Sequence, residues 1–298
     1  SLDYLSSLIE KSGYEVKVTK PSIVNNDKFK NTNSILEYDG FIPDAILLNN
    51  DLSSGVPLFL DNVKQVILPS KNIGWTMRSK SDHFKYYSDV CTNFSNLLGI
   101  DSWLIEPEFR NCGEINFKTK QGEDCLIHHA EKLLNIISDK YEKYNINEKP
   151  YIIIKADSGT YGMGVISIDN IDQIKNLNRK QRNKMLSTKG NILLDKVILQ
   201  EGVYSFEETK ESCNVAEPVI YSFSNFLIGG FYRTHENKAN NENLNSPGMI
   251  FHPIPMKDIC ISPDLNLPID SQINKYYVYG VVARLAILAA AKELFNID

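Results

Sequence analysis

Lys155 stands at the end of an apolar run, in YIIIKADSGTYGMGVISI (151–168), just before Gly159, Gly162 and Gly164. A lysine beside a glycine-rich backbone suits phosphate. Glycine lets the chain approach an anion closely and turn its N–H groups toward it, and the ammonium supplies charge. The order of the residues excludes the common phosphate motifs. A P-loop has its lysine after the glycines; a dinucleotide fingerprint is GxGxxG opening a helix, whereas here GxxGxG leads into VISI; a protein kinase has its glycine loop before the lysine strand. What remains is a lysine at a strand end with a glycine segment crossing to the next strand of a hairpin, a flap able to cover phosphates. A hairpin with a long glycine turn and a surface lysine is the alternative reading.

Downstream residues extend the phosphate reading. The apolar strand VILQEGV (197–203) runs out into Gln200, Glu201 and Val203, whose backbone suits the edge of an adenine base. LIGGFYRTH puts Arg233 at a strand end after a glycine pair, and NENLNSPGM offers Glu242, Asn243 and Asn245. Such oxygen-bearing side chains suit Mg2+, although capping of the loop would equally explain Glu242. The chain has only six arginines among 32 basic residues, so each is a candidate for bidentate binding of carboxylate or phosphate. Arg179 and Arg182, in NRKQRNK, read as a solvated face. His235 is either turned to the same cleft as Arg233 or structural. His128 and His129 are neighbours on a helix and point apart.

These residues need a scaffold. Residues 2–12 read as a helix, YEVKV (14–18) as a short strand, and NNDKFKNTN as a polar loop. FIPDAILLNNDLSSGVP contains a buried strand, Ala45–Leu48, and QVILP another, which together predict a small α/β layer with a parallel sheet. Ligands bind beyond the carboxyl ends of such strands, where Asn49, Asn50 and Asp51 fall; an Asx turn with a helix cap is the alternative for that cluster. Helical periodicity covers 79–98 and 125–145. Strands dominate after residue 150, at 151–155, 164–168, 197–201, 217–223 and 226–233, with one polar helical stretch at 170–189. The segment 237–274 reads mostly as loop and 276–295 as a buried helix. The implied division is 1–75, a small α/β substrate domain; 76–150, a helical linking subdomain; and 151–298, an antiparallel-rich nucleotide-binding and catalytic domain.

With 298 residues, 42% of them hydrophobic, the chain can bury a large core. Its net charge of -5 gives no reason to expect nucleic acid or an anionic membrane as partner. The longest apolar run, 280–295, is broken by Arg284 and Lys292, too short for a membrane span. Five cysteines without a CxxC pair argue against zinc or a disulfide framework and for a reducing, cytoplasmic setting.

The order strand–Lys–glycine flap–strand, apolar strand–Gln–Glu, strand–Arg, Asn-rich loop resembles the ATP-grasp superfamily. Longer strings, among them GWTMRSKSDHF, EKPYIIIKADSGTYGMGV, LNRKQRNKM, QEGVYSFE, AEPVIYSF, GGFYRTH, NENLNSPGM and YYVYGVVARLAILAAA, resemble the proteobacterial ATP-grasp type of glutamate–cysteine ligase from about residue 40 to the end. Residues 1–35 match poorly, and sequence is expected to be missing at the start. The resemblance implies an α/β (α+β) fold, an ATP-grasp domain behind a pre-ATP-grasp domain. It further implies ATP and Mg2+, with L-glutamate and L-cysteine joined through a γ-glutamyl phosphate in the first step of glutathione biosynthesis. Homo-oligomerisation is left open.

By this resemblance Lys155 and the N–H groups of Gly159–Gly164 hold the β- and γ-phosphates, Lys80 assists, and Gln200, Glu201 and Val203 hold adenosine. Arg233 stabilises the phosphoryl group in transfer, and Asn243 contacts phosphate. Thr160 and Tyr161 close over the acyl phosphate, with packing as the alternative for Tyr161. Arg78 is a candidate for a substrate carboxylate, with a salt bridge as its alternative. The magnesium ligands are either on a late E-x-N strand, which this sequence lacks, or Glu217, Glu242, Asn243 and Asn245. Another amino-acid ligase on the same scaffold, such as glutathione synthetase, and a non-catalytic nucleotide-binding module are the competing readings.

Overall fold

The computed structural model describes residues 2–20, 26–50, 52, 55–73, 78–158, 165–186, 196–209, 215–223, 225–254, 268 and 275–295. The fold is α+β, and the chain divides into two compact units, Ser1–Thr76 and Met77–Asp298.

The first unit contains helix α1 (Leu2–Lys11), strands β1 (Phe29–Thr32) and β2 (Ile35–Tyr38), and strands β3 (Ala45–Leu47) and β4 (Val66–Leu68). The polar run expected to be a loop instead forms β1, antiparallel to β2. Two local causes override its polarity. Asn33 and Ser34 take the positive φ angles of a two-residue hairpin turn (52° and 68°). The Phe29 ring stacks on Phe59 at 4.2 Å and packs on Tyr38 at 4.6 Å. The expected strand over 14–18 is absent; those residues form neither helix nor strand. Strands β3 and β4 pair in parallel as expected, but β3 is not buried: its three residues alternate exposed, half-buried, exposed.

The second unit begins with α2 (Lys80–Leu98). Ser79 caps it by accepting from the Asp82 N–H at 3.1 Å, and Gly99 ends it in the left-handed conformation. Next come β5 (Phe109–Glu114), α3 (Glu123–Lys143), β6 (Ile152–Ala156), β7 (Val165–Ile168), the short helices α4 (Asp172–Lys175) and α5 (Arg179–Leu186), and β8 (Lys196–Glu201). Strands β5-β8-β6-β7 form one sheet in that order, every pairing antiparallel. A second antiparallel sheet follows, ordered β12-β11-β10-β9, from β9 (Glu207–Glu208), β10 (Val215–Phe223), β11 (Phe226–Thr234) and β12 (Ile250–Pro253). Helix α6 (Lys275–Phe295) ends the described chain.

Sequence periodicity does not reveal β5, because FRNCGE has neither an apolar run nor a clean alternation. It is a strand because β8 pairs with it. Through β5, residues on both sides of position 150 share one sheet, so no structural boundary falls there.

Alternation along the strands sets the two faces of the first sheet. Ile152, Ile154, Ile166, Ile168, Val197 and Leu199 face α3 and join Leu126, Ala130, Leu133 and Ile137 in the main core. The opposite face carries Ile153, Lys155, Ile198 and Gln200. Helix α6 packs against α2 through Leu285 and Ala289 with Tyr87, Val90 and Cys91. Among the described residues, no helix is long and apolar enough to cross a membrane.

Candidate active site

On the face opposite α3, β6 and β8 pair so that Ile153 lies beside Gln200 and Lys155 beside Ile198. Lys155 and Gln200 are therefore diagonal neighbours on one face, and the Lys155 ammonium donates to the Gln200 side-chain oxygen. Helix α2 covers part of this face. The Phe84 ring centroid lies 5.9 Å from the Lys155 ammonium, and Phe84 packs on Phe109 of β5.

The first turn of α2 is fixed by the end of β6. The Lys80 N–H donates to the Asp157 carbonyl at 2.8 Å, and the Lys80 ammonium reaches the carbonyls of Ala156 and Asp157 at 2.8 and 3.2 Å. The Asp157 carboxylate, only 2% exposed, accepts from the Ser81 N–H and the Ser81 hydroxyl, both at 2.7 Å. Asn111 of β5 completes the junction by donating to Ser81 Oγ at 3.1 Å. A carboxylate at a helix N-terminus accepts charge-assisted bonds and complements the helix dipole. Sequence reasoning missed Asp157, Ser81 and Asn111, whose association depends on a contact spanning 76 residues.

The result is two lysines held close together. Burial comes first in lowering both pKa values, and for Lys155 the neighbouring Lys80 charge adds to it; Lys155 falls to about 8. Among the described residues, no carboxylate lies within ion-pair distance of Lys155. A half-buried site with surplus positive charge has a ready complement in a polyanion.

We predict that Asp157→Ala, by removing the two charge-assisted bonds to Ser81 and loosening the α2 turn that carries Lys80, lowers stability by about 3 kcal/mol. It also weakens nucleotide binding. Thermal unfolding and nucleotide titration of the same variant check both effects; an unchanged melting temperature contradicts the cap role.

Gln200 and Glu201, adjacent on one strand, point to opposite faces. The Glu201 carboxylate is 3% exposed and accepts from Trp103 Nε1 at 3.0 and 3.1 Å and from the Glu108 N–H at 2.9 Å. Burial raises its pKa and these bonds oppose the rise. Its side chain thus braces β8 from the core side, away from Lys155. Beyond it the chain turns under the Tyr151 ring. The Gly202 N–H donates to the Tyr151 carbonyl at 2.9 Å, and the Tyr151 hydroxyl donates to the Val203 carbonyl at 2.9 Å. A Cβ on Gly202 would lie 2.1 Å from the Tyr151 ring. Gly202→Ala is therefore expected to displace the 200–203 segment, costing about 2 kcal/mol of stability and raising KM for the nucleotide more than it lowers kcat. Steady-state kinetics with denaturant unfolding tests this.

Arg233 belongs to the second sheet. It pairs with Glu217 across β10 and β11, and its Nε lies 3.4 Å from Glu217 Oε2. That Nε is buried and has no hydrogen bond. The Leu244 N–H bonds the Glu217 carboxylate, which brings the 243–245 loop to this pair, and burial, partly offset by Arg233, raises the Glu217 pKa. Asn243 Oδ1 accepts from the Asn245 N–H at 2.9 Å and shapes the loop. Glu242 is the loop cap: it accepts from the Lys238 ammonium and the Ala239 N–H, both at 2.9 Å, and its pKa is lowered by these bonds. His235 is structural, bonded to the Pro247 carbonyl at 3.0 Å and the Asn237 N–H at 3.2 Å. The Ser205 N–H donates to the Asn240 carbonyl at 2.9 Å, so the segment leaving β8 runs against the same loop.

Arg78 is ion-paired, with its terminal nitrogen 2.6 Å from Glu293 Oε2 and 2.9 Å from His83 Nδ1. Glu293 is buried and Arg78 half-buried, so this is a partly buried bridge to α6. The Asn50 side chain accepts from the Leu52 N–H at 2.7 Å as an Asx turn, in the first unit. Asp51, Gly159, Thr160, Tyr161, Gly162 and Gly164 lie outside the described residues.

For Mg2+ the donor set is uneven. Glu217 offers a half-buried carboxylate beside a nitrogen-rich pair, in keeping with a metal that takes one or two carboxylates and completes its shell with phosphate oxygens and water. Glu242 is already engaged in capping.

The sequence model of the GshA glutamate-cysteine ligase family matches residues 1–294. A solved structure from Methylobacillus flagellatus KT, provisionally named gamma-glutamylcysteine synthetase, is 46% identical with a TM-score of 0.79, over 91% of this chain and 63% of that one. The chain thus spans under two thirds of the length of that protein. No curated protein matches the chain.

Proposed function

The chain belongs to the glutamate-cysteine ligase family, and from that premise we propose that it uses ATP to join the γ-carboxyl group of L-glutamate to the amine of L-cysteine. The observation that carries this reading is the Lys155–Lys80 pair, a half-buried excess of positive charge that in the sequence precedes a glycine-rich segment. The nucleotide phosphates are the anion it accepts, and the ATP-grasp arrangement is the scaffold it implies.

A γ-carboxylate oxygen of glutamate attacks the γ-phosphorus of ATP as the bond to the β-phosphate oxygen breaks. ADP leaves, and a γ-glutamyl phosphate remains. The amine of cysteine then attacks the acyl carbon, phosphate departs with the C–O bond electrons, and the amine proton passes to solvent. No protein nucleophile is needed; the protein contributes position, charge and exclusion of water. Lys155, oriented by Gln200, and Lys80 neutralise the β- and γ-phosphates. The 200–203 segment presents backbone groups to adenine, with Glu201 acting from behind as a brace. Arg233 meets the charge that develops on the transferring phosphoryl group. Glu217 and phosphate oxygens would hold Mg2+, which screens phosphate charge when bound; Glu242 and Asn245 serve the loop. Arg78 anchors α2 to α6.

The test is ADP release from the purified chain with ATP, Mg2+ and L-glutamate, with and without L-cysteine, and mass detection of the product. Cysteine-dependent ADP release with γ-glutamylcysteine is expected. Turnover only with γ-glutamylcysteine plus glycine would move the assignment to a glutathione synthetase. ATP binding without turnover on any amino acid would mark a non-catalytic module.

A further inference from the structure

Behind the nucleotide face, β5 and α3 bring together Cys112, Cys125 and His129. One ligand atom from each, the two sulfurs and an imidazole nitrogen, lies within 4.8 Å of the others. Cys125 and His129 are four apart on α3 and so share a face, while Cys112 enters from the strand where β5 slips register between Asn111 and Glu114. Cys112 is buried and Cys125 exposed, giving one ligand fixed in the core and an entry path from solvent. His129 Nδ1 is buried with no hydrogen-bond partner. An unbonded imidazole nitrogen shut off from water, even on a half-buried residue, is costly unless something bonds it.

We propose that Cys112, Cys125 and His129 form a binding site for a thiophilic metal ion, Zn2+ by preference, with solvent as the fourth ligand. Two sulfurs and one imidazole are a donor set that selects zinc over magnesium, and three protein ligands with one open position are a familiar zinc arrangement. Binding is balanced by proton release: each thiol gives its proton to solvent as its sulfur bonds the ion, so Zn2+ enters and two H+ leave. Burial and the neighbouring Cys125 push the Cys112 thiol up to about 12, so the ion itself must drive its deprotonation. The missing CxxC pair argues against zinc in the sequence, but the fold brings the third ligand, Cys112, from a different element. The site stands apart from Lys155 and Arg233 and does not depend on the ligase reading.

Tag-free protein is reduced, treated with chelator and titrated with Zn2+ against a chromophoric chelator, then with Co2+ by absorption. One Zn2+ per chain is expected, with a thiolate-to-cobalt charge-transfer band and a raised melting temperature. Cys125→Ser, at an exposed position, and His129→Gln should each bind Zn2+ at least about 100-fold more weakly, since loss of even an outer partner of a metal ligand costs roughly 10–100-fold. Both should keep the unmetallated melting temperature. The proposal fails if Zn2+ binding is unaltered in both variants, or if cobalt gives no thiolate band, as for an ion held by oxygen at the nucleotide site. It fails equally if the reduced chain binds no stoichiometric zinc, or if Cys112 and Cys125 form a disulfide instead of retaining the ion.

Discussion

Arg233→Ala is expected to lower kcat about 10³-fold, because a cation aligned on a transferring phosphoryl group contributes on that scale. The KM for ATP should change little, since Lys155 and Lys80 hold the ground-state phosphates. The Arg233 Nε is already buried without a hydrogen bond and 3.4 Å from Glu217, so the guanidinium is held by sheet pairing and keeps donors for a ligand. Its removal also leaves Glu217 without its counter-charge and pushes that carboxyl further above its ordinary range. Some loss of stability will follow. The double variant Arg233→Ala, Glu217→Gln isolates the stability effect: the melting temperature should recover, while kcat stays low because the cation and the carboxylate proposed to hold Mg2+ are both gone. Recovery of both together would reduce Arg233 to a structural partner of Glu217.

Lys155→Met should weaken ATP binding about 100-fold, the equivalent of about 3 kcal/mol for lost charge-assisted bonds to phosphate. Stability should respond in the opposite direction from most buried substitutions. Lys155 carries its charge in a site that desolvates it, next to Lys80, and its pKa is lowered to about 8. The unfolded chain therefore binds more protons than the native state between about pH 8 and the ordinary lysine value of 10.5. Across that window the Lys155 contribution makes stability rise with pH. Lys155→Met should be at least as stable as wild type at pH 7, and the rise should vanish in the variant. Nucleotide affinity runs the other way. Only the charged lysine pairs with phosphate, so ATP binding by the wild type should weaken as pH rises through about 8. Calorimetric titration and thermal melts from pH 7 to 9 check both trends. A Lys155→Met protein that is strongly destabilised yet binds ATP normally would make Lys155 a packing residue.

The nucleotide-binding features are the part of the proposed site most fully legible in the sequence. Their signals are local. A lysine near the end of an apolar strand, glycines after it, and a second strand carrying Gln200 near its end are readable from the chain, while the β6–β8 register brings Lys155 and Gln200 onto one face. Helix α2 is equally local, through Ser79, Asp82 and Gly99.

What the sequence by itself determined, then, was the elements with strong periodicity and the family strings that name their order. Tertiary structure alone decided which neighbour of Gln200 meets the site, because opposite strand faces send Glu201 to Trp103. It decided that Asp157 caps α2, that Arg78 answers to Glu293, and that β5 is a strand at all. It likewise brought Cys112 to Cys125 and His129. Each of these contacts joins residues from separate elements, with partner choice set by sheet pairing and helix packing. No periodicity along the chain encodes that choice, because the free energy that selects the partner arises only when distant segments bury surface together.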